Sequence, residues 1–521
     1  MAIRLQAILA GRGALLMRCA EEWLARGHDV AAVISGEAAV RAWAGQRGLP
    51  ALSSGAGELP DSDLHVLIGH PEDSHRAWSR PPRRCTVVYQ DSLLPAYAGW
   101  HATTWALLNQ VKAHGVTWYT PEAAGPVALQ RGEVPVTPDD TVFSLDTKCF
   151  DAALSAFARL VSDVEQEREA ALPSLDLPAS FYGEFQRPPA ACLIDFTRPA
   201  PELAALARGL SFAGRANPLG LPKLWLGREA VVVREIEVAG ATGGVAPGTI
   251  IALDAHRLAV ATSDGAAVLR HFTAQSGAAR SLESLTRDYS WSVGSVLPLW
   301  PSEVAPSLTS AHEALAPHEE FWVQRLAAVQ PYALPFATPV TADATPRWSA
   351  LPVTLSGTRS PAAVVLAAHA AFLLRVADGQ EIDVKWQADG AGLGVAGFEF
   401  LAAGAVPLTV PADGGDLFAG FAARLAGQVD ELRVHRTYLR DLEQRYPELR
   451  GASRPSICLA VEPLQGDPDV STVLRVEVAA DGSACTWRFN EDAWPRERAQ
   501  QLAGLFTSFL QNLQTEAGTP W

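Results

Sequence analysis

The chain has 521 residues, a formal net charge of −15 and 19% charged side chains, a balance that argues against nucleic acid as its main partner, because phosphate backbones are gripped by a basic footprint. Its hydrophobic share of 48% is enough for several buried cores, and the length implies three or four domains. No stretch of about 18 uncharged apolar residues occurs, which excludes a membrane-spanning helix. The six cysteines, Cys19, Cys85, Cys149, Cys192, Cys458 and Cys485, lie far apart without CxxC or zinc-like Cys/His spacing; they read as reduced thiols of a cytoplasmic protein that holds no metal.

In chain order, the first 170 or so residues alternate short apolar runs with amphipathic stretches, the rhythm of a parallel α/β sheet. A strand over Ile3 to Leu9 runs through Gly11-Arg12-Gly13 into a helix from Leu15 to Gly27, and Val30 to Ser35 is the next strand. Gly11 and Gly13, at a strand-to-helix turn, are candidates for holding a phosphate on the helix N-terminus. The third glycine of a dinucleotide fingerprint is missing, and tight turns favour glycine in any case. A proline-rich linker is expected over 171–189. Val231 to Val233, Pro247 to Leu253 and Leu258 to Thr262 are short strands separated by glycine turns, as in an open β-barrel. Further on, helices are expected from His312 to Trp322, Pro361 to Arg375, Leu417 to Glu431 and Arg496 to Leu513, with a strand at Ile382 to Trp386.

The segment Gln90-Asp91-Ser92-Leu93-Leu94-Pro95-Ala96-Tyr97-Ala98-Gly99, with His114-Gly115-Val116-Thr117-Trp118 after it, resembles the substrate loop of folate-dependent formyltransferases. Cys19-Ala20-Glu21, Arg26-Gly27-His28-Asp29-Val30, Asp139-Asp140-Thr141 and Leu145 to Phe150 are similar to the subgroup that opens nonribosomal peptide synthetases. The resemblance implies a Rossmann-like formyltransferase sheet over 1–172 and, from Ile194-Asp195-Phe196-Thr197 onward, the small OB-like C-terminal domain over 190–285. In that family an Asn and a His steady the oxyanion and an Asp–His pair takes the proton. Here the Asn position is Val88, the His position is Gln90, and the Asp position falls on Ala123 or Pro126.

Valine offers no hydrogen bond and a glutamine amide does not titrate near neutral pH. Loss of one oxyanion donor costs about 100- to 1000-fold in rate, so loss of three cooperating groups implies a site silent for formylation. The substitutes within reach are His101, Glu122 and Asp91, each with a plainer reading: a polar loop contact, a solvated carboxylate and a turn-capping side chain. Gly11, Gly13, Leu94, Pro95, Tyr97, Gly99, Trp118 and Tyr119 outline the expected pocket, although Trp105 and Trp118 also suit core packing. No cofactor is expected, formyl-tetrahydrofolate entering only if the site is active. The basic run Arg76 to Arg84 is either an anion grip or a solvated loop.

From residue 306 to 521 the pattern changes. His312 to Trp322, Pro335-Phe336, Phe398 with Pro407-Leu408, and Arg488-Phe489-Asn490 before the last helix resemble the C-terminal lobe of condensation domains. That lobe works in its family against an N-terminal lobe carrying HHxxxDG; none of the 12 histidines here neighbours another. The expectation is a catalytically degenerate, α/β formyltransferase-like protein with an α+β condensation lobe, docking carrier or adenylation domains in natural-product assembly. The alternatives are another acyl or carbamoyl transfer at a non-standard site, and a ligand-binding regulator.

Overall fold

A computed structural model describes residues 3–53, 59–69, 80–123, 125–240, 244–338, 346–355, 360–387, 392–412, 417–462 and 471–515. The first unit comprises β1 (Gln6–Gly11), α1 (Gly13–Ala25), β2 (Asp29–Ile34), α2 (Ala38–Gln46), β3 (Ala51–Leu52), β4 (Leu64–Ile68), β5 (Cys85–Gln90), β6 (Ala98–Gly99), α3 (Ala102–Leu108), β7 (Ala113–Glu122), β8 (Gly125–Pro135) and α4 (Val142–Glu165). Its seven-stranded sheet runs β3-β2-β1-β4-β5-β7-β8. The first five strands in this order are mutually parallel, and β7 is antiparallel to both β5 and β8. All five residues of β4 are buried, as a central parallel strand covered on both faces requires. The apolar stripe of α1, Leu15, Leu16, Cys19, Ala20 and Trp23, and that of α4, including Leu145, Cys149, Ala153 and Phe157, follow the 3.6-residue period and close one face. Strand order reverses between β1 and β4, so the crevice beyond Gly11, Ile68 and Gln90 is where such a sheet presents a ligand site.

The linker carries a two-residue strand, β9 (Phe181–Tyr182), which pairs with β6. The second unit comprises α5 (Ala200–Gly209), β10 (Lys223–Trp225), β11 (Ala230–Ala239), β12 (Ile250–Leu253), β13 (Leu258–Ala261), β14 (Ala266–Ala274) and α6 (Leu282–Tyr289). Its antiparallel sheet runs β10-β11-β14-β13-β12. Val231, Val233, Leu258, Val260 and Leu269 pack with Leu203 of α5 and Leu285 of α6.

The third unit comprises α7 (Ala305–Leu315), α8 (Glu319–Ala327), β15 (Trp348–Val353), α9 (Ala362–Val376), β16 (Ile382–Gln387), β17 (Val406–Val410), α10 (Phe418–His435), α11 (Leu442–Arg445), β18 (Ile457–Val461), β19 (Leu474–Val478), β20 (Cys485–Asn490) and α12 (Arg496–Thr515). A mixed sheet, β15-β20-β19-β18-β16-β17, packs on α9 and α12 through Leu366, Ala370, Trp487 and Phe506. The helix expected from His312 to Trp322 is broken in two: Ala316–His318 form a 3-10 turn, because Pro317 lacks the N–H an uninterrupted helix needs. Among the described residues no helix is long and apolar enough to cross a membrane.

Units two and three are joined by a buried ionic network. Lys223 Nζ on β10 lies 2.5 Å from Asp441, and Arg445 Nε donates to Asp441 at 2.9 Å, all three side chains being fully buried. Arg445 also holds Glu319 through two bonds of 2.7 and 2.6 Å and donates to the Asn217 carbonyl at 2.8 Å. Around this network Ala190, Leu193, Ala230, Leu308, Leu401 and Leu439 form an apolar seam.

Candidate functional site

The loop between β5 and α3 sits at the crevice predicted from the strand order. Gln90 is buried. Its Nε2 donates to Asp91 Oδ1 at 2.8 Å and to the Gly99 carbonyl at 3.1 Å. An amide nitrogen has two hydrogens, so both are committed and neither is available to an oxyanion. Val88 is fully buried in a cluster with Ala10, Leu67, Leu94 and Tyr119. The position where a hydrogen-bonding Asn stands in the resembled family is thus part of a small apolar core.

Asp91 is the loop's one carboxylate. Burial raises its carboxyl to about 7, with a further push from Asp146, against the pull of its own backbone and the Gln90 amide. Its charged neighbour Asp146 belongs to α4, where burial raises that carboxyl too while Arg215 and Thr103 hold it back. His114 on β7 lies with Nε2 2.8 Å from the Asp91 carbonyl; a carbonyl only accepts, so Nε2 carries the proton. Burial lowers the His114 imidazole to about 4, the Asp91 carbonyl partly opposing this, and the ring is neutral at neutral pH.

The remaining predicted residues are distributed as follows. Leu94 and Tyr119 line the apolar cluster rather than an open slot. Trp118 is placed elsewhere than the expected pocket: it is fully buried beneath α4, packs 5.1 Å from Phe157 and donates Nε1 to the Ala153 carbonyl at 3.1 Å, because strand alternation sends neighbouring residues to opposite faces. His101 has left-handed backbone at the start of α3, its ring 6.1 Å from that of Trp100. Glu122 and Ala123 are exposed at the tip of the β7–β8 hairpin, and Pro126 pairs across it with Pro121. Glu122 therefore reads as the solvated carboxylate.

Of the two readings of Gly11 and Gly13, turn geometry has the direct structural support. The Gly13 N–H at the start of α1 already donates to Glu37 Oε2 at 2.9 Å. A Cβ on Gly11 would lie 1.8 Å from the Ile68 carbonyl oxygen, so turn geometry explains that glycine. Of the basic run, the described arginines have carboxylate partners. Arg80 pairs with Asp61 at 2.5 Å, Arg83 with Asp61 and Asp63, and Arg84 with Glu169 at 2.9 Å. Arg76 lies outside the described residues.

Sequence reasoning treated 171–189 as a spacer, yet that segment is laid across the loop. Trp100 N–H donates to the Tyr182 carbonyl and Ala98 N–H to that of Ser180, both at 2.9 Å. Tyr97 N–H donates to Ser180 Oγ at 2.8 Å. Tyr182 is stacked between Tyr97 at 5.9 Å and Trp105 at 4.5 Å, its hydroxyl accepting from Asn109 Nδ2 at 3.0 Å. The strap explains Gly99: with φ of +98°, a Cβ there would lie 2.2 Å from the Tyr182 carbonyl oxygen. The signal was Phe181-Tyr182, an aromatic pair inside an otherwise proline-rich run. Ser180, Tyr182 and Asn109 are the site residues the motif reading left out, whereas His114 and Asp146 lay inside the quoted motifs without a role of their own.

Comparison with known proteins finds similarity to formyltransferases. The family described as "Formyl transferase, C-terminal domain" matches residues 188–290. The methionyl-tRNA formyltransferase of Bacteroides fragilis is 25% identical over 217 residues, 39% of this chain and 64% of that protein. That of Macrococcus caseolyticus is 29% identical over 195 residues, 36% of this chain and 57% of that protein. The chain thus spans less than two thirds of the length of these curated relatives. Among solved structures, WlaRD, a sugar 3N-formyl transferase in the presence of dTDP and 5-N-formyl-THF, is 12% identical and gives a TM-score of 0.40 over 52% of this chain and 98% of its own. The chain is similar to formyltransferases, and its second unit matches the family model of their C-terminal domain.

Proposed function

We propose that the protein is a catalytically degenerate formyltransferase-like component that docks carrier or adenylation domains in nonribosomal peptide or related natural-product assembly. The observation that carries the loss of chemistry is the committed amide of Gln90 beside the apolar burial of Val88. Formyl transfer needs a free donor for the developing oxyanion and a base for the amine proton, and the loop offers no such donor at these positions. The docking half rests on the third unit, read as a condensation-type C-lobe, and on its fixed attachment to the second, read as an OB-like domain, through Lys223, Asp441 and Arg445.

Two measurements test this. Incubation of the purified chain with 10-formyl-tetrahydrofolate and free or carrier-bound amino acids is expected to release tetrahydrofolate at the rate seen without protein. Calorimetry against a purified adenylation domain and a purified carrier protein is expected to detect a complex with at least one of them. Turnover above background would end the first half, and absence of both complexes the second. A second reading, acyl or carbamoyl transfer at a non-standard site, is favoured by Asp91, whose carboxyl near 7 suits a general base. It requires that Asp91→Asn abolish a transfer activity with other acyl donors. Formyl-tetrahydrofolate belongs to the chain only under such an active reading.

A further inference from the structure

Between the second and third units lies a cavity of about 540 Å³ lined by the loop 210–217, by Val233 and Arg234 of β11, by Thr273 of β14, and by Gln444 and Arg450. A space of that size accommodates a small organic ligand. Its walls combine apolar side chains, among them Leu210, Phe212 and Val233, with guanidinium groups from both units.

The charges facing this cavity do not balance. Arg215 is paired with Asp146 at 2.6 Å, and the guanidinium of Arg445 is spent on Asp441 and Glu319. Glu443 is paired with Arg454. Arg234 Nη2 donates to a neutral acceptor, Gln444 Oε1, at 2.5 Å, and Arg450 Nη2 to another, the Gly214 carbonyl, at 2.8 Å. Among the described residues neither has a carboxylate partner. Gln444 is itself held, accepting from Thr273 Oγ1 at 2.9 Å and donating to the Ala274 carbonyl at 2.7 Å, so Arg234 is oriented from behind with most of its five N–H donors unspent. Desolvation lowers the Arg234 guanidinium from its usual value; Asp441 opposes this and the Arg450 charge adds to it. Two like charges set on one cavity, each steadied by a neutral acceptor, repel one another until an anion joins them. The guanidinium fork matches phosphate oxygens bidentately.

We propose that this inter-unit cavity binds a phosphate-bearing ligand with an apolar body, its phosphate held jointly by Arg234 and Arg450. The site is separate from the formyltransferase loop, and its failure would leave the docking reading untouched. The ligand chemistry has two sources, a free phosphorylated metabolite or the phosphopantetheine arm of a carrier protein.

The test is titration calorimetry of the full chain with 4′-phosphopantetheine, with pantetheine lacking the phosphate, and with pyrophosphate. Phosphopantetheine is expected to bind at least about tenfold more tightly than pantetheine, and Arg234→Gln and Arg450→Gln each to remove about tenfold or more of that affinity. Both side chains are solvent-accessible, so the thermal midpoint is expected to hold. Should a Gln variant unfold, Arg234→Lys and Arg450→Lys keep the charge without the fork and are expected to weaken binding less than the loss of the charge would. Equal binding of pantetheine and phosphopantetheine, or full affinity in both Arg variants, overturns the proposal. If it stands, displacement of phosphopantetheine by pyrophosphate points to a free metabolite. Tighter binding of a phosphopantetheinylated carrier than of its unmodified form points to the carrier arm.

Discussion

Replacement of Asp441 by asparagine tests whether the second and third units act as one body. The carboxylate is fully buried, 2.5 Å from Lys223 Nζ and 2.9 Å from Arg445 Nε, and accepts from the Leu221 N–H at 3.3 Å. Burial would raise its pKa, but Lys223 and Arg445 outweigh that and hold it well below the carboxylate range. Asn keeps the shape and removes the charge. Arg445 retains Glu319, whereas Lys223 retains only the Ala191 and Leu221 carbonyls. Breaking a buried pair by removing one partner costs about 3–5 kcal/mol; the surviving contacts place this case near the lower end. For a domain of this size that corresponds to a fall in the unfolding midpoint of roughly 6–12 °C at about 2–4 °C per kcal/mol. Differential scanning calorimetry should show the shift in the transition assigned to the coupled units. Because the folded pKa is depressed, this stability is present above the ordinary carboxylate value of about 3.9 and is lost only as pH falls through the folded value, so the penalty should stay constant from pH 5 to 8. The double variant Lys223→Met/Asp441→Leu, which removes both members of that pair, should recover most of the loss. A shift below about 1 °C for Asp441→Asn would refute the reasoning.

Three further perturbations probe the loop. Gly99→Ala places a methyl against the Tyr182 carbonyl at positive φ and should cost about 1–3 kcal/mol, with faster amide exchange at Trp100, whose N–H donates to that carbonyl; unchanged protection would separate the strap from the glycine. Asp91, raised to about 7, binds its proton more tightly when folded, so its contribution is full below pH 4 and is lost as pH rises through 7. His114, lowered to about 4, acts oppositely as pH falls through the same window, so the wild-type profile is compared with that of Asp91→Asn. The wild type should lose midpoint relative to the variant between pH 4 and 7, and parallel curves would contradict the assignment. Val88→Asn restores the amide found in the resembled family but buries it among Ala10, Leu67 and Leu94. It should destabilise by about 1–3 kcal/mol and leave formyl transfer at background; a gain of transfer would show that the loop keeps a working base.

The first sheet was legible because its signals are local. Alternation of apolar runs with amphipathic stretches encodes strand and helix, and Gly11-Arg12-Gly13 marks the turn between them. The helix over Pro361 to Arg375 reappears as Ala362–Val376 and the strand at Ile382 as Ile382–Gln387. Boundaries slipped where a single residue overruled the period, as at Pro317. The site was legible only as a set of substitutions. Val88 and Gln90 told that Asn and His were absent, but not that the Gln90 amide is spent on Asp91 and Gly99.

The order of residues alone determined which side chains the loop carries, since side-chain identity sets what donates and what titrates. Tertiary structure decided everything that depends on distant segments meeting. The strap of Ser180 and Tyr182 crosses a loop some eighty residues earlier. The carboxyl of Asp91 is raised beside Asp146. Arg234 and Arg450 share a cavity although more than two hundred residues separate them. Propensity and pattern act over a few residues, whereas desolvation and Coulomb interaction depend on distances that exist only once the chain is folded.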